Sequence, residues 1–394
     1  MTVNGWVGWA VTLLLLPTLA LMIDAVGVLR ARRAPTIMAE PVRNEDFSVL
    51  VPIYGSMRYL ENAEYLATYG ERVVLCTTNA ESPEFYTKLE EIALRYGFGV
   101  FLGEAPVSSS HARRRSTGGT VRDRLIRAVL STVTTRYVVC VDADTVTRRP
   151  LSELVGMIAA RGLQLASIRL VPSNTTRVLG RLQAHEYRLS MQMRAVAPWL
   201  VSGACHAGET AALREVMSHH SLFFQGNDVE TGVLADVMRF RVGHVPFEVP
   251  TVVPDRIWPW WRQRLAWSGG EFRLFFVNIA IGRFHPFLWF YGLVIGMLAL
   301  PLRWDALIAP GYFLVAVVAL YLLLSFYVHR EHRDWWLLLM PFYSAVISLV
   351  LTPLGVVSYL QMAISGQNWG IIRPPARRYA ERDKALLSST SSRP

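Results

Sequence analysis

Two carboxylates, Asp142 and Asp144, stand one residue apart in the stretch YVVCVDADTVTRRP (Tyr137–Pro150). The apolar run before them, Tyr137–Val141, has the composition of a buried parallel strand. Acids at the carboxyl end of such a strand sit where open α/β sheets place their ligands. Alternation along an extended chain points both carboxylates to one side. Mg2+ typically combines one or two carboxylates with substrate phosphates, so this pair could hold a hard divalent cation against a phosphate group. A solvated strand end is the alternative.

Further residues could join that chemistry. In FFQGNDVETG (Phe223–Gly232), Asp228 falls in the first turn of a helix, as a cap or as a general base. In WPWWRQRLAW (Trp258–Trp267), four tryptophans surround Arg262 and Arg264. Tryptophan faces stack on sugar rings and arginine holds phosphate, but Trp and Arg also collect at membrane surfaces. Val51-Pro52-Ile53-Tyr54 ends an apolar run with an aromatic that could stack on a nucleobase. The basic loop His111–Thr120 is followed by Arg122, Arg124 and Arg127. Arginine binds phosphate bidentately and keeps its charge.

The elements that must position these residues alternate. Strands are expected over Phe47–Ile53, Arg72–Thr77, Phe98–Leu102 and Tyr137–Val141. Helices are expected over Met57–Tyr69, Ser82–Tyr96 and Thr120–Thr132. This order argues an α/β fold with a parallel sheet and helices on both faces. Around it lie apolar runs. Trp6–Val28 is long enough to span a bilayer, and Arg30, Arg32 and Arg33 follow it. Positive charges after the run argue an uncleaved anchor with the next domain in the cytoplasm. Pro286–Leu302, Ala306–Tyr327 and Trp335–Ile364 form a second apolar cluster, the last carrying Pro341 and Pro353, which favour a kink or a broken helix. The tail from Arg373 is basic and then Ser-rich.

The composition agrees. The chain has 394 residues, 52% of them hydrophobic, and a formal net charge of +10. That is too apolar for an ordinary soluble enzyme. The basic balance suits nucleotides, phosphates or anionic headgroups, and no nucleic-acid recognition motif accompanies it. Lys88 and Lys384 are its only lysines. Cys76, Cys140 and Cys205 are far apart and read as reduced core thiols.

Taken in order, the motifs resemble those of membrane-embedded family 2 glycosyltransferases, which include hyaluronan, cellulose and chitin synthases and the chitin-oligosaccharide synthase of nodulating bacteria. Val51–Tyr54 looks like the family's Val-Pro-x-Tyr, and Asp142-Ala143-Asp144 like its Asp-x-Asp. Arg122 stands about twenty residues before Asp142, where the family usually has a phosphate-binding lysine. Val201–Ala204 looks like the Ser-Gly stretch beside the acceptor. Gly226-Asn227-Asp228 occupies the slot of the motif ending in the base. Gln263–Trp267 occupies that of Gln-x-x-Arg-Trp, with Ala266 in place of the arginine. Asn368-Trp369-Gly370 with Arg373 is similar to the family's Trp-Gly-Thr-Arg tail. Thr77-Thr78-Asn79 stands where the family has an acid for the nucleobase.

The resemblance implies a GT-A fold flanked by transmembrane helices: an anchor at 1–33, a cytoplasmic catalytic domain at 47–276, a membrane region at 277–366 and a basic tail at 367–394. It implies Mg2+ or Mn2+ at Asp144 and Asp142. Pro52, Tyr54, Arg122, Asp142 and Arg264 would bind a nucleoside diphosphate sugar. Ser202, Gly203, Gln263 and Trp267 would bind the acceptor, and Asp228 would be the general base. The expected protein is an inverting, processive transferase in the plasma membrane, extending and exporting a polysaccharide from a UDP-sugar. A non-processive transferase acting on a lipid-linked acceptor is one alternative. A non-catalytic export subunit is another.

Overall fold

A computed structural model describes residues 3–33, 42–105, 118–224, 226–282 and 310–373. The basic loop Arg113–Arg115, the apolar run Pro286–Leu302 and the tail residues Arg377, Arg378, Arg382 and Lys384 lie outside them. The chain divides into two units, neither contiguous in sequence. One is drawn from the described parts of Met1–Ile37, Leu170–Ala197 and Pro250–Gln367, the other from those of Met38–Arg169, Pro198–Val249 and Asn368–Pro394.

The second unit is built on a seven-stranded sheet. Its strands are β1 (Phe47–Pro52), β2 (Val73–Thr78), β3 (Gly99–Gly103), β4 (Tyr137–Val141), β5 (Leu165–Pro172), β6 (Cys205–Glu209) and β7 (Val242–Thr251). Their order is β3-β2-β1-β4-β6-β5-β7. β1, β2, β3 and β4 pair in parallel. β6 runs antiparallel to both β4 and β5, so the parallel sheet expected from the first four strands continues into a mixed one. β6 reads CHAGE, with no run of branched residues to announce it, and pairing with β4 defines it. Every residue of β4 is buried, as a central strand covered on both faces requires.

One expected helix is corrected. Met57–Tyr69 is not continuous: a 3-10 turn at Met57–Tyr59, a short helix α2 (Ala63–Leu66) and a 3-10 stretch over Ala67–Arg72 replace it, after the helix α1 (Val3–Arg33) of the other unit. The amides of Glu61 and Asn62 donate to the carbonyl of Ala143 at 2.9 and 3.2 Å, and cannot also serve a helical ladder.

The helices α3 (Pro83–Tyr96), α4 (Gly118–Val129), α5 (Leu151–Ala160), α7 (Thr210–Ser218) and α8 (Asn227–Val237) also belong to this unit, with α6 (Val178–Met193) lying in the other. α4 buries Leu125, Ile126 and Val129 and leaves Arg124 and Arg127 exposed, which turns Asp123 inward. α8 starts after Gly226, whose φ of 83° is a left-handed geometry natural to glycine.

The first unit holds α1, α6, α9 (Ile257–Phe272), α10 (Ile279–Gly282) and α11 (Pro310–Val328). α1 packs against α11, and Arg32 Nη2 donates to the Val328 carbonyl at 2.9 Å. Among the described residues, one helical segment, Trp335–Ser365, is long and apolar enough to cross a membrane. Its prolines do not break it: a π-turn over Ile347–Leu351 absorbs the defect before Pro353, and Thr352 Oγ1 donates to the Ile347 carbonyl at 3.0 Å.

Gly232 fixes the seat of α8. A Cβ there would lie 1.9 Å from the Trp199 carbonyl oxygen, so the helix backbone rests directly on the chain leading to Ser202. Gly232→Ala is expected to destabilise the protein by about 1–3 kcal/mol through overpacking. A thermal melt in detergent checks it, with an unchanged midpoint as the contrary result.

Candidate active site

Strand β4 delivers the Asp-x-Asp turn to the carboxyl edge of the sheet. The turn closes through the Thr145 amide and the Asp142 carbonyl at 3.0 Å. Buried Asn62 clamps it, its Nδ2 donating to the carbonyls of Asp142 at 3.0 Å and Thr145 at 2.7 Å. Asp142 is left half-buried and Asp144 exposed. Partial desolvation by the surrounding chain, and then the like charge of Asp142, raise the Asp144 carboxyl above its ordinary range. A bound cation would relieve that repulsion. Among the described residues no three His, Cys, Asp or Glu side chains converge as a protein-only metal site. Two carboxylates at a rim, one exposed, fit a cation that takes its other ligands from phosphate and water.

Arg122 reaches this turn from α4. Its Nε donates to Asp142 Oδ1 at 2.9 Å, its Nη1 to Asp123 Oδ1 at 3.2 Å, and its Nη2 to the Gly203 carbonyl. Burial works against the guanidinium's charge, but Asp142 and Asp123 outweigh it and raise its pKa. The Asp142 amide in turn donates to the Ala204 carbonyl at 3.0 Å. The Ser202–Ala204 loop is thereby tied to the Asp-x-Asp turn. Asp228 lies against the same loop, since a Cβ on Gly203 would stand 3.5 Å from Asp228 Oδ2. Tyr54, past the end of β1 and Pro52, is half-buried, and its hydroxyl is pushed up to about 12 by burial, opposed by nearby Arg122 and reinforced by Asp142.

The loop before Asp228 is strained and held. Leu222 and Phe224 have φ of 51° and 65°, uncommon for such residues. Fully buried Glu230 accepts from the Ser221 amide at 2.6 Å and from its hydroxyl at 2.8 Å. His220 Nδ1 accepts from the Leu222 amide at 3.1 Å, so its Nε2 carries the proton and donates to the Asn227 carbonyl at 2.9 Å. With Nδ1 already an acceptor, the nearby Glu230 carboxylate forms no ion pair with this ring, although the two stand 3.6 Å apart.

The second unit thus brings together Tyr54, Arg122, Asp142, Asp144, Ser202, Gly203 and Asp228. Gln263, Arg264 and Trp267 belong to the first unit, on α9. There Arg264 is buried, donates to Glu186 Oε2 at 2.6 Å and lies 4.2 Å over the Trp267 ring. Tyr343 donates to the same Glu186 oxygen at 2.6 Å, and Trp260 Nε1 to Tyr343 at 3.2 Å. The Arg264 guanidinium is therefore engaged by an acid, while Arg262 is exposed. Sequence reasoning assigned no role to Asn62, Asp123, Glu186, His220 or Glu230. Only the acid three residues after Asn227 carried a local signal, as a helix first-turn carboxylate.

Residues 137–329 match the family model described as Glycosyl transferase family group 2. The chain carries a glycosyltransferase family 2 domain. It is a glycosyltransferase, and the matched stretch contains Asp142, Asp144, Gly203, Asp228 and Arg264, with Tyr54 and Arg122 preceding it. The fold agrees with that of the mannosyltransferase PcManGT from Pyrobaculum calidifontis, solved with GDP-Man and Mn2+. That similarity has a TM-score of 0.53 at 14% identity, covering 90% of this chain and 100% of the other. Glucosyl-3-phosphoglycerate synthase from Mycobacterium tuberculosis, solved with Mn2+, UDP and phosphoglyceric acid, is similar at 17% identity and a TM-score of 0.37, over 59% of this chain and 78% of that one. No curated protein matches the chain.

The α9 pair gives a prediction. Arg264→Ala removes the cation from the Glu186 carboxylate and the Trp267 ring and should cost at least about 2 kcal/mol, the partial exposure of Glu186 discounting the full penalty of a broken buried pair. Arg262→Ala should stay within about 0.5 kcal/mol of the parent. Denaturation in matched detergent compares them, and equal midpoints would contradict the assignment.

Proposed function

We propose that this glycosyltransferase moves a sugar from a nucleoside diphosphate donor, a UDP-sugar, to an acceptor hydroxyl with inversion at the anomeric carbon. The observation carrying the reading is one arrangement. The rim carboxylates Asp142 and Asp144 and the half-buried carboxylate of Asp228 flank the same Ser202–Ala204 loop. An acid pair for a diphosphate and a separate acid for a hydroxyl are what direct displacement needs.

In this reading Asp144, with Asp142, would hold Mg2+ or Mn2+, which would supply positive charge for the leaving diphosphate. Tyr54, beyond Pro52, stacks on the nucleobase. Ser202 and Gly203 line the acceptor side. Asp228 accepts the proton of the acceptor hydroxyl. The acceptor oxygen then bonds to the anomeric carbon, and the bond from that carbon to the diphosphate oxygen breaks with its electron pair leaving on the diphosphate. Gln263 and Trp267 bind the acceptor sugar. Arg264, engaged by Glu186, orients Trp267 rather than holding phosphate.

We place the protein in the plasma membrane, multi-pass, with the catalytic unit cytoplasmic and a growing polysaccharide as acceptor. The apolar segment Trp335–Ser365 and the arginines after Trp6–Val28 support the membrane part. A lipid-linked acceptor is the alternative, separated by whether label from the donor appears in high-mass glycosidase-sensitive product or in lipid extract.

A panel of UDP- and GDP-sugars scored by nucleotide release tests the function. Asp228→Asn is expected to lower transfer by about 10²–10⁴-fold, while nucleotide affinity stays within about threefold. Asp144→Asn is expected to abolish turnover and the Mn2+ dependence of nucleotide binding together. Full activity of Asp144→Asn at saturating Mn2+, or a parallel loss of nucleotide affinity in Asp228→Asn, would contradict these roles.

A further inference from the structure

Arg122 is engaged on three sides. Its side chain is 12% exposed, and all three guanidinium nitrogens donate within the protein. One acceptor, Asp142, belongs to the donor side of the site. The second, the Gly203 carbonyl, belongs to the loop on which Asp228 rests. The third, Asp123, is a buried acid on which His220, Asp228 and Asn227 act as near neighbours.

We propose that Arg122 is a positioning residue that couples the donor site to the acceptor side, so that filling the donor site tightens the Ser202–Ala204 loop and the seat of Asp228. The inference rests on the donor site proposed above. A cation and diphosphate arriving at Asp142 and Asp144 compete for the Asp142 carboxylate and weaken its bond to Arg122 Nε. The guanidinium then leans on its two remaining acceptors, the Gly203 carbonyl and Asp123. Its planar fork serves three acceptors in fixed directions, which a lysine ammonium cannot reproduce. The consequence is an ordered site in which a nucleotide prepares the acceptor loop. By linkage, a ligand on that loop tightens nucleotide binding by the same factor.

Hydrogen exchange of the full chain in nanodiscs tests this, using Mn2+ with UDP or GDP as the probe and nucleotide affinity measured alongside. In the parent, adding the nucleotide should slow exchange across 201–206 and 226–230 by about fivefold or more. With nucleotide at saturation for each variant, Arg122→Lys should lose that slowing. Asp123→Asn leaves Arg122 and Asp142 in place, and should reduce the slowing at 226–230 more than at 201–206. It decides the matter if Arg122→Lys fails to fold. Nucleotide bound by the parent with no change in exchange would overturn the coupling alone. So would an intact response in both variants, or a Lys variant that loses affinity more than about tenfold and keeps the response, the mark of a direct phosphate ligand. A parent that binds no nucleotide with Mn2+ would overturn the donor site, and this inference with it.

Discussion

The site depends on how one buried positive charge is shared. Arg122 sits on the inner face of α4 beneath the end of β4, among Asp142, Asp123 and the Gly203 carbonyl. A lone guanidinium in that position would be costly, and so would Asp123 without it. Together they are held by their partners, and the sheet edge, the Ser202–Ala204 loop and α8 are brought to one place. Asn62 does for the backbone of the Asp-x-Asp turn what Arg122 does for its side chain.

Much of this was legible where burial writes a local pattern. Tyr137–Val141 is a strand over the bounds read from its apolar run, because a strand covered on both faces must be apolar throughout. α3 begins after Ser82, whose hydroxyl accepts from the Phe85 amide, at the start expected for this helix. The rest is set by partners distant in the chain. β6 is short and holds a glycine and a histidine, so only its ladder with β4 makes it a strand. The helix expected over Met57–Tyr69 yields because Glu61 and Asn62 spend their amides on Ala143. The resemblance put Arg122 on the phosphate side as an expectation, and no sequence signal disclosed its hydrogen bond to Asp142 itself. Asp123 lay hidden in a basic stretch, where an acid reads as a solvated neighbour.

The helical unit shows a similar economy. Glu186 on α6 gathers Arg264 and Tyr343, and Trp260 follows through Tyr343, so α9 is pinned by hydrogen bonds as well as by close packing. Gly355 lets the last segment approach α9, where a Cβ would meet the Leu265 carbonyl at 2.7 Å. In a chain with Ala266 at the slot of the family's arginine, the neighbouring Arg264 supplies cover for Trp267 rather than a free charge.

The central claim is that Asp142 and Asp144 form the rim at which a cation and a nucleoside diphosphate meet. A structure of the full chain with Mn2+ and UDP, recorded at the manganese absorption edge, addresses it most directly. The account predicts an anomalous peak within bonding distance of the Asp144 carboxylate and of the diphosphate oxygens, with Asp228 across the Ser202–Ala204 loop and free of the metal. A peak elsewhere, or nucleotide bound with neither aspartate near its phosphates, would contradict it.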